Sequence, residues 1–144
     1  AQFHLGAPGP PSSSSLEDDW EGLDRTITVQ TRSIDSVIES YDWPHVDLVK
    51  IDIEGSEHRA VLGMKQTILH FRPVMVIELL KPYRSTFLDV FSFLTDAGYT
   101  LYQCTPEALL PLVPLNTALE DAESVNFLAV TRDHPFLPLL GLDT

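Results

Sequence analysis

The sequence holds one cysteine, Cys104, so no disulfide can form within the chain. A lone cysteine reads as a core residue rather than a nucleophile, and its solitude tilts the expected compartment toward the reducing cytoplasm. Basic residues are scarce as well. Nine Lys and Arg stand against 21 Asp and Glu, a formal charge of -12, which repels phosphate backbones and argues against nucleic acid as a partner. No apolar run reaches bilayer-spanning length, so no membrane is expected. Glycine is sparse too: the one close pair, Gly6 and Gly9, sits among prolines with no strand pattern before it, so no phosphate-cradling or cofactor-cradling turn is legible. The histidines His4, His45, His58, His70 and His134 show no ligand spacing, and no metal site is assigned. Nor is there a Ser-His-Asp or Cys-His arrangement in a nucleophile-elbow setting, which leaves covalent hydrolysis unsupported.

What the chain does contain is strand and helix in alternation. Its 144 residues suffice for one domain with its own core. Residues 6–19, rich in glycine, proline, serine and acid, read as a loop or linker. A short β-branched run at 26–31, TITVQT, predicts a strand, after which Ser33 can cap a helix carrying Ile34, Val37 and Ile38. Apolar positions Ala60, Val61, Met64, Ile68 and Leu69 predict one helix from Ser56 to about His70, ended by Arg72-Pro73. The run 74–80, VMVIELL, is nearly all apolar, as a parallel strand covered on both faces should be. Ser85 or Thr86 then caps a helix that Gly98 can terminate in a left-handed conformation, and strands follow at 100–104 and 125–131, the last antiparallel to its neighbour. This order predicts an α/β fold with a mostly parallel sheet.

The most informative stretch is 47–57, DLVKIDIEGSE. On a strand, side chains alternate, so Lys50, Asp52 and Glu54 would share one face and Val49, Ile51 and Ile53 the other. Gly55 then closes the strand, and Ser56 and Glu57 open a helix. In an open α/β sheet that junction is where ligands bind. Alternating charge on a strand more commonly marks a solvated face, and both explanations stand at this point. Glu57 reads as helix-dipole complementarity, His58 as a surface residue able to shuttle protons, and Asp35 as a capping residue or, less commonly, part of a cofactor-side wall. Trp43, Tyr83 and Tyr102 fall at loops or strand ends and read as packing residues.

The pattern V-D-L-V-K-I-D-I-E-G-S-E at 46–57, with A-V-L-G at 60–63, R-P at 72–73, V-I-E at 76–78 and T-R-S-I-D-S at 31–36, resembles FkbM-type S-adenosylmethionine-dependent methyltransferases. The likeness runs from about Thr26 to Val130. It implies a partial Rossmann-like, class I methyltransferase doubly wound sheet. Residues 26–131 would be the carboxyl-terminal part of that domain, 1–25 a linker or remnant of a preceding strand region, and 132–144 a tail. It also implies S-adenosylmethionine as cofactor, although the family's glycine-rich turn and its ribose-binding acid are absent from this stretch. The expectation is therefore a fragment of a methyltransferase, inactive alone, whose upstream strands lie outside it. The alternative is a non-catalytic α/β interaction module derived from the fold.

Methyl transfer to a hydroxyl needs the acceptor held close and a base nearby. Asp52, near the carboxyl end of its strand, is the candidate, with Glu54 on the same face and Glu78 at the matching end of the next strand. These three are the expected catalytic residues, the acceptor being a small molecule or sugar-like hydroxyl. Three carboxylates in one crevice could also hold a divalent cation, or serve a metal-dependent hydrolase.

Overall fold

The computed structural model describes residues 1–6, 14–16, 23–105, 109–111 and 124–142. In chain order these form β1 (Gln2–Gly6), β2 (Leu23–Thr28), α1 (Ile34–Tyr41), β3 (Leu48–Ile51), α2 (Glu57–Leu62), α3 (Lys65–Phe71), β4 (Val74–Leu80), α4 (Phe87–Asp96), β5 (Tyr99–Cys104), β6 (Leu109–Pro111) and β7 (Ser124–Thr131), with 3-10 helices at Lys81–Thr86 and Pro138–Leu140. Among the described residues no helix is long and apolar enough to cross a membrane.

Several local signals act as the sequence predicts. Ser33 caps α1, its hydroxyl accepting from the Ser36 N–H at 3.2 Å. The apolar run VMVIELL is β4 from first residue to last. Gly98, at φ +87, takes the left-handed position just beyond α4, where a side chain would be strained.

Three expectations need correction. The single helix from Ser56 to His70 is two, broken at Gly63 and Met64, the latter at φ -128 and ψ 24. The break is held from outside. Asp35, in the first turn of α1, donates its own N–H to Gly63 O at 3.0 Å, while its carboxylate accepts from Gln66 N at 3.1 Å, Thr67 N at 2.9 Å and Thr67 Oγ1 at 2.6 Å. Asp35 is thus a capping residue, but for α3 rather than for its own helix.

The second correction concerns the amino-terminal strands. The strand expected at 26–31 lies at Leu23–Thr28 and pairs antiparallel with β1 in a separate two-stranded sheet. A strand therefore does precede Gly6, although residues 7–13, with Gly9, lie outside the described residues. The segment 14–16 packs against this hairpin through a bridge between His4 and Ser15, and Ser15 is fully buried.

The third is the sheet itself. Its order is β3-β4-β7-β5-β6, and among the described residues β3 with β4 is its only parallel pair. β4 and β5 are both antiparallel to β7, so they run the same way as each other, as helical crossovers require. β7 inserts between them and turns two parallel neighbours into two antiparallel ladders. The sheet is mixed.

One sheet face carries the main core: Ile51, Met75, Ile77, Leu79, Phe127 and Tyr99 pack against Val61, Met64, Ile68, Phe87, Val90 and Leu94 from α2, α3 and α4. Each large side chain fully buried here contributes about 1.5–3 kcal/mol. The opposite face has a smaller cluster of Val74, Tyr102, Leu128 and Val130 closed by Leu137. Lys50 and Glu78 lie on that second face, since Lys50 pairs in register with Val76, and Glu78 is two residues further along β4.

Candidate functional site

β3 ends at Ile51, so the alternation expected to carry Lys50, Asp52 and Glu54 on one face stops before Glu54. Glu54 instead stands at φ +57 and Gly55 at φ +103, a left-handed turn that reverses the chain into α2. For a glutamate that conformation costs roughly 1 kcal/mol. The surroundings hold it in place. Glu57, fully buried, accepts from Ile53 N at 2.9 Å and from Gly55 N with both oxygens, at 3.2 and 3.0 Å. Ser15 Oγ donates to Glu54 O at 2.6 Å. On the other side the Tyr83 ring lies so close to Gly55 that a Cβ there would meet Cδ2 and Cζ at 2.8 Å. Glu57 is therefore a clamp on the turn, beyond the dipole role read from its position. In hindsight the E-G-x-E spacing is its signal, because an acid two residues past a positive-φ glycine can reach back to that turn's N–H groups. The part played by Ser15 has no signal in the sequence.

Asp52 follows β3 directly and is half-exposed. Its carboxyl is held below the ordinary value of 3.8, chiefly by a hydrogen bond from the Glu78 side chain and further by Lys50, against an upward push from burial. Two carboxyls share a hydrogen bond only while one of them carries a proton, so this support acts where the pair holds one proton between them. Lys50 Nζ lies 3.2 Å from Asp52 Oδ2 and donates to Asn126 Oδ1 at 3.1 Å. With both partners about half exposed, that ion pair contributes roughly 0.2–1 kcal/mol.

Asp52, Ile53 and Glu54 line a cavity of about 460 Å³ whose other walls include Phe3 from β1, Ser14 and Leu16 from the packed segment, and Val29 and Thr31 after β2. The cavity is largely apolar, with carboxylates on one side. Of the three expected catalytic residues, Asp52 and Glu54 face it, while Glu78 is not in its wall and reaches it through Asp52. Among the described residues no group of three His, Cys, Asp or Glu side chains converges closely enough to hold a metal ion, so the cation-binding option for these carboxylates finds no support.

A glycine cradle for S-adenosylmethionine would show as glycines whose missing Cβ leaves room for a ligand against the backbone. The space at Gly55 is filled by Tyr83, Gly63 packs beside Arg59 O and Ala60 O, and Gly98 and Gly141 end helices. None of these four glycines forms a cradle at a strand-to-helix turn.

Other candidates lie apart. His58 is partly buried, and its Nδ1 has no hydrogen-bond partner among the described residues. Trp43 is 51% exposed beside Tyr41, and Tyr102 belongs to the second core cluster. Of the aromatics, Tyr83 is the one that shapes the turn.

A family model described as the Methyltransferase FkbM domain matches residues 3–101, well over half of the chain, from β1 into β5. No curated protein and no solved structure gives a significant match.

Proposed function

Because the chain belongs to the FkbM methyltransferase domain family, we propose that its described residues form the acceptor side of an S-adenosylmethionine-dependent methyl transfer to the oxygen of a small-molecule or sugar-like hydroxyl. The observation that carries this is Asp52: a carboxyl held below its ordinary value just past the carboxyl end of β3, in the wall of a mainly apolar cavity, with Glu78 and Lys50 beside it. An acceptor hydroxyl in the cavity donates a hydrogen bond to Asp52. The cofactor, when bound, would supply the methyl group from its sulfonium and leave as the neutral thioether, and the hydroxyl proton would pass to the Asp52 carboxylate. A carboxylate of lowered pKa is a weak base but is ionised throughout the neutral range, which suits a group that orients first and takes the proton late. The apolar walls of Phe3, Leu16 and Val29 exclude water and strengthen that hydrogen bond. Glu54, on the same wall, adds negative potential that disfavours an anionic group at this end. No step is assigned to the cofactor's own cradle, which the described residues do not form.

Replacing Asp52 by Asn keeps the shape and removes the proton acceptor. Methyl transfer by the protein that carries this chain should then fall by about 100-fold or more with the unfolding midpoint preserved. Undiminished turnover would defeat the assignment. The lack of a cradle among the described glycines favours one second reading, a non-catalytic interaction module on the same fold. Under it, neither Asp52→Asn nor any other change at the cavity alters a methyl-transfer signal, because there is none.

A further inference from the structure

The cavity that holds Asp52 and Glu54 has a neighbour of about 410 Å³, and the two share Leu16, Thr31, Ile53 and Ser56. Their charged side chains are of opposite sign. Asp52 and Glu54 line the first, Arg32 and Arg59 the second, and no acid lines the second among the described residues. In a chain with 9 basic residues against 21 acidic ones, two arginines at one cavity form a local positive spot within a negative field.

Arg32, just before α1, lays its guanidinium along that helix, Nη2 donating to Ser36 O at 2.9 Å and Ser40 Oγ at 3.1 Å, so it adds to the positive field of the cavity from a distance rather than as a direct ligand. Arg59 is exposed on the outer side of α2, whose Glu57 and Val61 are buried, a few residues after the clamped turn. Ser33 and Ile34, where α1 begins, also line this cavity, so the positive end of that helix dipole opens on it. The acid of the same helical turn, Asp35, is directed elsewhere, its carboxylate occupied by Gln66 and Thr67 of α3.

We propose that the second cavity is an anion subsite of the acceptor, so that the acceptor is a molecule with a hydroxyl at one end, an apolar middle and a carboxylate or phosphate at the other. The hydroxyl meets Asp52, the middle crosses the shared wall of Leu16 and Ile53, and the anionic group pairs with Arg59 in the field of Arg32. Segregated charge fixes the direction in which such a ligand lies. Reversed, its anion would face two carboxylates. This assignment rests on the proposed methyl-transfer function and narrows its substrate class.

The test is calorimetric titration of the full chain with ω-hydroxyoctanoate and with octanediol, which share a chain length and differ in one terminal charge. The carboxylate should bind about fivefold tighter, the scale of a partly screened ion pair, and added salt should shrink the difference. Arg59→Gln should bring the two affinities together, and Arg59→Lys should restore part of the gap. Equal affinities in the unaltered chain, no binding of either probe, or a preference that survives Arg59→Gln each overturn the subsite. Failure here is separable from failure of the enzymatic assignment. Loss of the preference while Asp52→Asn still abolishes methyl transfer removes the subsite alone, and an intact preference with methyl transfer indifferent to Asp52 removes the enzymatic assignment alone.

Discussion

At Gly55 two demands meet, a backbone at φ +103 and a tyrosine ring pressed against the missing side chain. Alanine there should cost roughly 2–4 kcal/mol, about 1 for the conformation and the rest for overpacking. Tyr83→Ala separates the two parts: in that background Gly55→Ala should cost only about 1 kcal/mol by urea unfolding. Equal costs in both backgrounds would show that the ring is not what excludes the side chain. Glu57 is the other support of this turn, and truncating it to Ala strands the Ile53 and Gly55 N–H groups in a buried site. A loss of about 2–4 kcal/mol is expected in the same assay. Asp52 and Glu54 stood out in the sequence as acids alternating along an apolar strand, but β3 ends at Ile51 and Glu54 belongs to the turn beyond it. The turn was not legible, because a glutamate in a left-handed conformation has no local preference that announces it, and its support comes partly from Ser15, remote in sequence.

Among the elements, the split between α2 and α3 was hidden for a physical reason. Val61, Met64 and Ile68 keep helical spacing across the break and all reach the same core, so periodicity sees one helix. The interruption comes from Asp35, which supplies from a distant helix the acceptor that the first N–H groups of α3 need. Asp35→Ala should destabilise by about 1–2 kcal/mol at neutral pH. Burial works to raise the Asp35 pKa, but the hydrogen bonds from Thr67 and Gln66 together outweigh it, and the carboxyl is held below 3.8 in the folded chain. The sign follows from linkage: the unfolded state binds a proton more readily, so this contribution is complete above the unfolded value and drains away as pH falls through the lower folded one. Across that acid window the unaltered chain should lose more stability than Asp35→Asn does. Parallel losses would show that the carboxylate charge is not what caps α3. Elements with unambiguous local chemistry were legible from the sequence: β4 from its apolar run, α1 from its Ser33 cap and the end of α4 from Gly98.

Over the whole molecule, alternation of strand and helix correctly gives α/β, since β3, β4 and β5 share a direction. It does not give a mostly parallel sheet. Where β7 lodges is decided by long-range pairing, and a strand with Val125, Phe127 and Ala129 on one face and Leu128 and Val130 on the other suits a central position as well as an edge. That insertion leaves β3 and β4 as the one parallel pair among the described residues, and across it the sheet brings Asp52 beside Glu78, as the sequence anticipated for adjacent strand ends. The pair is tested most directly by the acid limb of the pH–rate profile for methyl transfer, with folding followed at each pH. The hydrogen bond shared with Glu78, helped by Lys50, holds Asp52 below the ordinary carboxylate value of 3.8, so the acid limb should lie below that of an ordinary carboxylate. In Glu78→Ala the limb should move upward, toward the ordinary range. Superimposable limbs in the two proteins would contradict a working Asp52–Glu78 pair.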